Sequence, residues 1–278
     1  MIRAVLTLIA LLVLAAPVAA QTVQPVPIII GTSYALPSAI YGGTREINVW
    51  TPPGYATSGK TYPVLYLLDG GLEYQDFHHI SGLAQLGSMS GMTREMIVVG
   101  VTSKDRQNEL AGPTREAAMI ARYPNHGQSD RFRRFLVDEV EPFVQGRYRT
   151  DGETAVIGES LAALFIVETF LREPTAFGRY LAISPSLWWD GESLSKDAPA
   201  LLAAQPAGER TLLLTIADEG GEMQSGMDRL VEALKAGAPQ GLTWRYEARP
   251  GETHGTIYHG AAFDFLREVY GPLPTTEH

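Results

Sequence analysis

Strand-like runs of four to seven residues alternate along the chain with amphipathic stretches of ten or more. The strand-like runs are Pro27–Ile30, Arg45–Thr51, Val64–Leu68, Met96–Val101, Thr154–Ile157, Tyr180–Ser184, Thr211–Ile216 and Leu242–Ala248. The middle runs, such as MIVVGV and TLLLTI, are continuously apolar, the pattern of parallel strands covered on both faces. Arg45–Thr51 (REINVWT) alternates polar and apolar, which predicts an antiparallel edge hairpin strand. Helices are predicted near Asp76–Leu86, Ser129–Gln145, Leu161–Leu171, Gly226–Ala236 and Gly260–Val269. In Ser129–Gln145, Phe132, Phe135, Leu136 and Val140 recur at three- and four-residue spacing and make one apolar face. Strands alternating with helices imply an α/β fold, with a mostly parallel sheet of about eight strands covered by helices on both sides. No repeat, low-complexity tract or dividing linker interrupts it. Thr102–Gln128 is a long polar connection with Gly and Pro, a place where function often resides.

The first twenty residues stand outside this alternation. Arg3, an apolar run over Ala4–Ala16 and the small residues Val18-Ala19-Ala20 form the pattern of a cleavable signal peptide. Its removal from 278 residues leaves 258, the size of one α/β domain over residues 21–278. The expected location is therefore periplasmic or secreted. There is no cysteine, so no lipid anchor at the cleavage point and no disulfide is expected, and the core alone must hold the domain. A net charge of −9 without basic runs argues against nucleic acid and anionic membranes as partners.

Candidate chemistry enters at Thr154–Leu171, where an apolar strand runs through Gly158-Glu159-Ser160-Leu161-Ala162 into an apolar helix. That is the strand–turn–helix setting of a nucleophile elbow, with Ala at the second small position. The small residues two before and two after the serine let a strained turn lift its hydroxyl clear. Gly31-Thr32-Ser33-Tyr34-Ala35 matches the same pattern, but it leads into Leu36-Pro37, where no helix can follow, so Ser33 is set aside.

A serine nucleophile needs a base, and the base needs an orienting acid. On such a sheet the chain order is Ser, acid, His, with the acid after the penultimate strand and the His after the last. His254 lies on the Gly-flanked loop after Leu242–Ala248; the alternatives are His78 and His79 in an early helix, His126 in the long connection, and His259. Three carboxylates follow Thr211–Ile216: Glu219 is favoured, then Asp218, then Glu222. The oxyanion donors are expected to be the N–H of Leu161, at a helix start, and that of Gly71, with Leu72 behind it, in Asp69-Gly70-Gly71-Leu72. There is no His-Glu-x-x-His and no cysteine, and adjacent His78 and His79 would be splayed apart by a helix, so no metal is expected. No phosphate loop or dinucleotide fingerprint is present, and no cofactor is expected.

The segments YPVLYLLDGG (62–71), DRQNELAGP (105–113), residues 130–165, YLAISPSLWWD (180–190) and RPGETHGTIYH (249–259) resemble the putative-esterase family of α/β-hydrolases. That family includes siderophore esterases, feruloyl esterases and esterase D. The resemblance implies the α/β-hydrolase fold, Ser160 as nucleophile, His254 as base, and an acyl pocket bordered by Arg106 and the Trp188-Trp189 pair. On residue type and position, one of the two tryptophans, Trp188, is expected to be a pocket wall and the other core, and Arg106, in a polar connection beside the site, to clamp an anionic or catecholate group. It departs at Glu159, where the family usually has His, and at Ala162, where it has Gly. The expected activity is hydrolysis of a small-molecule carboxylic ester through an acyl-enzyme, including siderophore trilactones. The alternatives are acyl transfer by the same Ser–His pair, or a silent binding protein.

Overall fold

A computed structural model describes residues 24–73 and 76–272; residues 1–20, where a signal peptide is expected, lie outside the described residues. Eight strands form one sheet: β1 (Thr32–Ser38), β2 (Gly43–Trp50), β3 (Tyr62–Leu68), β4 (Ile97–Val101), β5 (Thr150–Glu159), β6 (Arg179–Ile183), β7 (Arg210–Ala217) and β8 (Leu242–Arg249). Their order is β1-β2-β4-β3-β5-β6-β7-β8. β1 and β2 are antiparallel to their neighbours, and every pair from β4 to β8 is parallel.

The continuous apolar strands are buried on both faces, and alternate residues serve opposite layers. Val64, Tyr66 and Leu68 of β3 pack with the helices Leu161–Arg172, Trp189–Ala203 and Gly221–Gly237, and with the long helical segment that starts at Ser129. Leu65 and Leu67 pack on the opposite side with Phe77–Met89 and Ile257–Tyr270. Helices thus cover both faces of the sheet, and its carboxyl edge is left to the loops.

Three expectations need correction. The strand expected at Pro27–Ile30 is not formed: Ile28 is 93% exposed, and the first strand starts at Thr32 and contains Ser33. Pro37 bars a helix there but is tolerated in β1, the sheet's edge strand. β2 is consequently an inner strand, flanked by β1 and β4, and only its pairing with β1 makes the expected hairpin. The helix Trp189–Ala203 was not legible because Gly191 and Pro199 interrupt its pattern; it includes left-handed residues at Asp190, Gly191 and Glu192. The expected helix at Ser129–Gln145 is present from Ser129 to Arg147 but widens to a π turn over Leu136–Val140. Pro142 has no N–H to continue the regular ladder, and the N–H of Glu141 instead donates to the Leu136 carbonyl.

Candidate active site

The sharp turn at Ser160 follows from the residues on either side of it. Ser160 has φ 62° and ψ −120°, a strained conformation for a side-chain-bearing residue, between the last residue of β5 and the first of the helix Leu161–Arg172. Backbone bonds hold it: the Ser160 N–H donates to the Ile183 carbonyl at 3.0 Å, and its own carbonyl accepts from Leu164 at 2.9 Å and Ser186 at 3.1 Å. The steric need for small neighbours is direct. A Cβ placed on Gly158 would lie 2.7 Å from the Cβ of Ala162. Ala at 162 is accommodated because position 158 carries no side chain.

Chain crossings bring the loops after β7 and β8 together. The Asp218 N–H donates to the Glu252 carbonyl at 3.0 Å, which sets the two loops side by side. There His254 Nδ1 lies 2.9 Å from Glu219 Oε1. The Glu219 side chain is 9% exposed, whereas that of His254 is 44% exposed. Asp218 and Glu222, the other two carboxylates considered, are exposed.

Ser160 and His254 line one cleft of about 370 Å³, together with Glu219, Leu161, Arg106 and Trp188. The hydroxyl of Ser160 lies 3.3 Å from that of Ser186. Trp188 is half-buried in the cleft wall, and buried Trp189 donates its Nε1–H to the Gly112 carbonyl at 2.9 Å. That bond, and the 3.0 Å bond from the Thr114 hydroxyl to Asp190, fasten the long 102–128 connection over the site. From it Gln107, Arg122 and Tyr123 reach the cleft, and Met223 and Ser186 complete the wall. None of these five was singled out from the sequence. Ser186 sits in the quoted SPSLWWD segment, its one available signal.

Arg106 lines the cleft but is already engaged: its Nε donates to Asp69 Oδ2 at 2.7 Å and an Nη to the Glu159 carbonyl at 3.4 Å. It therefore ties the loop after β3 to the elbow. Asp69 has φ 51°. The next residue must be glycine, because a Cβ on Gly70 would come 2.2 Å from the Cα of Gly100. Gly71 is buried beside them, and its carbonyl accepts from Phe77 at 3.3 Å. Glu159, the unusual neighbour of Ser160, has its carboxyl held above the ordinary range by burial, and Asp76 and Glu219 push the same way against His254 and Arg106. Burial thus opposes a charge on Glu159 beside the place where an oxyanion would form.

A larger depression of about 890 Å³ lies at the amino ends of β5 to β8, around the Arg179–Glu153 ion pair. No histidine lines it. Ligands of open α/β sheets bind at the opposite, carboxyl edge, where Ser160 and His254 sit. No helix among the described residues is long and apolar enough to cross a membrane.

The profile of the "Putative esterase" family matches residues 38–258. Ferri-bacillibactin esterase BesA of Bacillus subtilis is 24% identical over 226 residues, 74% of this chain and 77% of its own. A siderophore enterobactin esterase of Emericella nidulans is 30% identical over 179 residues, covering 56% of this chain and 58% of its own. The crystal structure of an IroE-like serine hydrolase from Shewanella oneidensis superposes with a TM-score of 0.77 at 26% identity, over 86% of this chain and 80% of that one. These relatives are hydrolases, so acyl transfer and silent binding are not favoured. With its sheet order and helices on both faces, the chain belongs to the putative esterase family and is a carboxylic ester hydrolase of α/β-hydrolase fold.

Proposed function

We propose that the chain is an exported serine esterase that cleaves siderophore esters, with Ser160, His254 and Glu219 as its catalytic residues. The observation that carries the mechanism is the 2.9 Å contact between His254 Nδ1 and Glu219 Oε1, in the same cleft as a serine held at φ 62°. Glu219 fixes the tautomer with the proton on Nδ1, which leaves Nε2 free to take the Ser160 proton. The serine oxygen adds to the ester carbonyl, and the N–H groups of Leu161 and Gly71 receive the oxyanion. Collapse breaks the ester C–O bond, and His254 gives its proton to the departing alkoxide. Water, deprotonated by His254, then splits the acyl-serine and restores the enzyme. The Ser160 hydroxyl, now beside Ser186, turns to His254 in the substrate complex, where catalytic hydrogen bonds commonly tighten.

The substrate class rests on the siderophore esterases among the relatives and on the cleft wall. Trp188, Trp189 and Tyr123 offer flat apolar faces and Arg122 a cation, a combination suited to anionic aromatic groups such as catecholates. Export is supported by the leader pattern of residues 1–20. The test is hydrolysis of a catecholate trilactone, methyl ferulate and a p-nitrophenyl acyl ester, followed by chromatography, with Ser160→Ala as the blank. The trilactone is expected to have the highest kcat/KM. Equal or faster turnover of the two simple esters would overturn the substrate assignment, and full activity of Ser160→Ala the nucleophile.

A further inference from the structure

Asp76 closes the loop after β3 and immediately precedes the helix Phe77–Met89, yet its side chain does not cap that helix. Its Oδ1 lies 2.8 Å from His79 Nδ1, one turn along the same helix. The same oxygen lies 3.0 Å from Nε2 of His259, 183 residues away on the helix Ile257–Tyr270. One atom from each of the three side chains falls within 4.8 Å of the others. The rings of His79 and His259 meet edge-on, 4.9 Å apart at 85°. His78 and His79 are not splayed as the sequence suggested, since their ring centres are 3.9 Å apart.

We propose that Asp76, His79 and His259 form a binding site for a divalent transition-metal ion of the Zn²⁺ class where the helices Phe77–Met89 and Ile257–Tyr270 meet. Two imidazole nitrogens and one carboxylate oxygen are the donor set such ions take, with water in the open position. Bonds of about 2.0–2.1 Å in a tetrahedron hold ligand atoms about 3.3 Å apart. The observed 2.8 and 3.0 Å spacings reach that by opening a few tenths of an ångström. Both histidine side chains are about half exposed (50% and 51%), so they can turn to do this. Each binds as a neutral ring, with its proton on the other nitrogen.

A second, independent observation favours a cation. Asp69 Oδ1 and Glu159 Oε1 are buried without a hydrogen-bond partner among the described residues. The Asp76 N–H donates to the Asp69 carbonyl at 3.1 Å, which holds Asp69 beside the cluster. Arg106 is taken up by Asp69, whereas the Asp76 carboxylate is paired with the two imidazoles, and a dication there would offset its charge. The site does not depend on the esterase mechanism.

The test is a titration of the chelator-treated full chain with Zn²⁺ against a chromophoric zinc indicator. The expected result is one site of micromolar affinity or better, weakened at least tenfold by His79→Gln and by His259→Gln. His78→Gln is expected to bind like the parent, and Mg²⁺ is expected not to compete. Both substituted histidines are exposed, and circular dichroism checks that the variants fold. Absence of a micromolar site in the parent would overturn the assignment. So would unchanged binding in His79→Gln/His259→Gln, or loss of the site in His254→Gln instead. Ester hydrolysis measured on the same samples keeps this outcome separate from the esterase reading.

Discussion

Glu219→Gln removes the charge beside His254 while keeping the side chain's shape. In the proposed mechanism the imidazole becomes a cation with a carboxylate oxygen 2.9 Å from Nδ1. At that distance the attraction is about 5.7 kcal/mol with an effective dielectric of 20 and about 1.4 kcal/mol in bulk water. The buried Glu219 side chain argues for the first figure and the half-exposed His254 for the second. An intermediate value of about 3–4 kcal/mol corresponds to a fall in kcat of roughly 10² to 10³. Because the imidazolium forms only on the way to the transition state, KM should change little. The assay is steady-state hydrolysis of a p-nitrophenyl ester, with Asp218→Asn and Glu222→Gln in parallel. Both controls carry exposed carboxylates and should stay within about threefold of the parent. A Glu219→Gln enzyme within that range, or an equal loss in Asp218→Asn, would refute the reasoning.

Gly158→Ala places a Cβ 2.7 Å from that of Ala162, a contact the elbow relieves only by shifting the helix that follows Ser160. Overpacking of this kind costs about 1–3 kcal/mol, so thermal denaturation should show a lower Tm and kcat should fall about tenfold or more; an unchanged Tm and rate would contradict the packing. Burial raises the Glu141 carboxyl from 4.5 to about 7. A raised carboxyl stabilises the fold below its unfolded value and loses that contribution as pH rises through about 7. Glu141→Gln should therefore match the parent near pH 4 and exceed it by about 1–2 kcal/mol at pH 8 in urea unfolding, the shift being discounted for partial solvation. Equal stability at both pH values would count against it.

Local pattern carried much of this architecture. VLYLL and TLLLTI could be read as buried parallel strands because both faces of β3 and β7 are covered, and that leaves no polar alternation. Gly158 and Ala162 marked the elbow since the crowding they relieve is between neighbours in sequence. β1 was misplaced because three isoleucines outweigh TSYALPS in any local reading, whereas pairing with β2 decides where the strand forms. Glu219 could be ranked ahead of Asp218 and Glu222 but not separated from them, since the contact to His254 depends on how two loops dock. The Asp76–His79–His259 cluster left no signal, because two histidines became neighbours only when the final helix packed against Phe77–Met89.

The catalytic account is tested most directly by treating the pure chain with a fluorophosphonate and mapping the modified peptide by mass spectrometry. It predicts one phosphonyl group, on Ser160, with labelling slowed at least a hundredfold in His254→Ala. No labelling, a label on another serine, or an unchanged rate without His254 would contradict it.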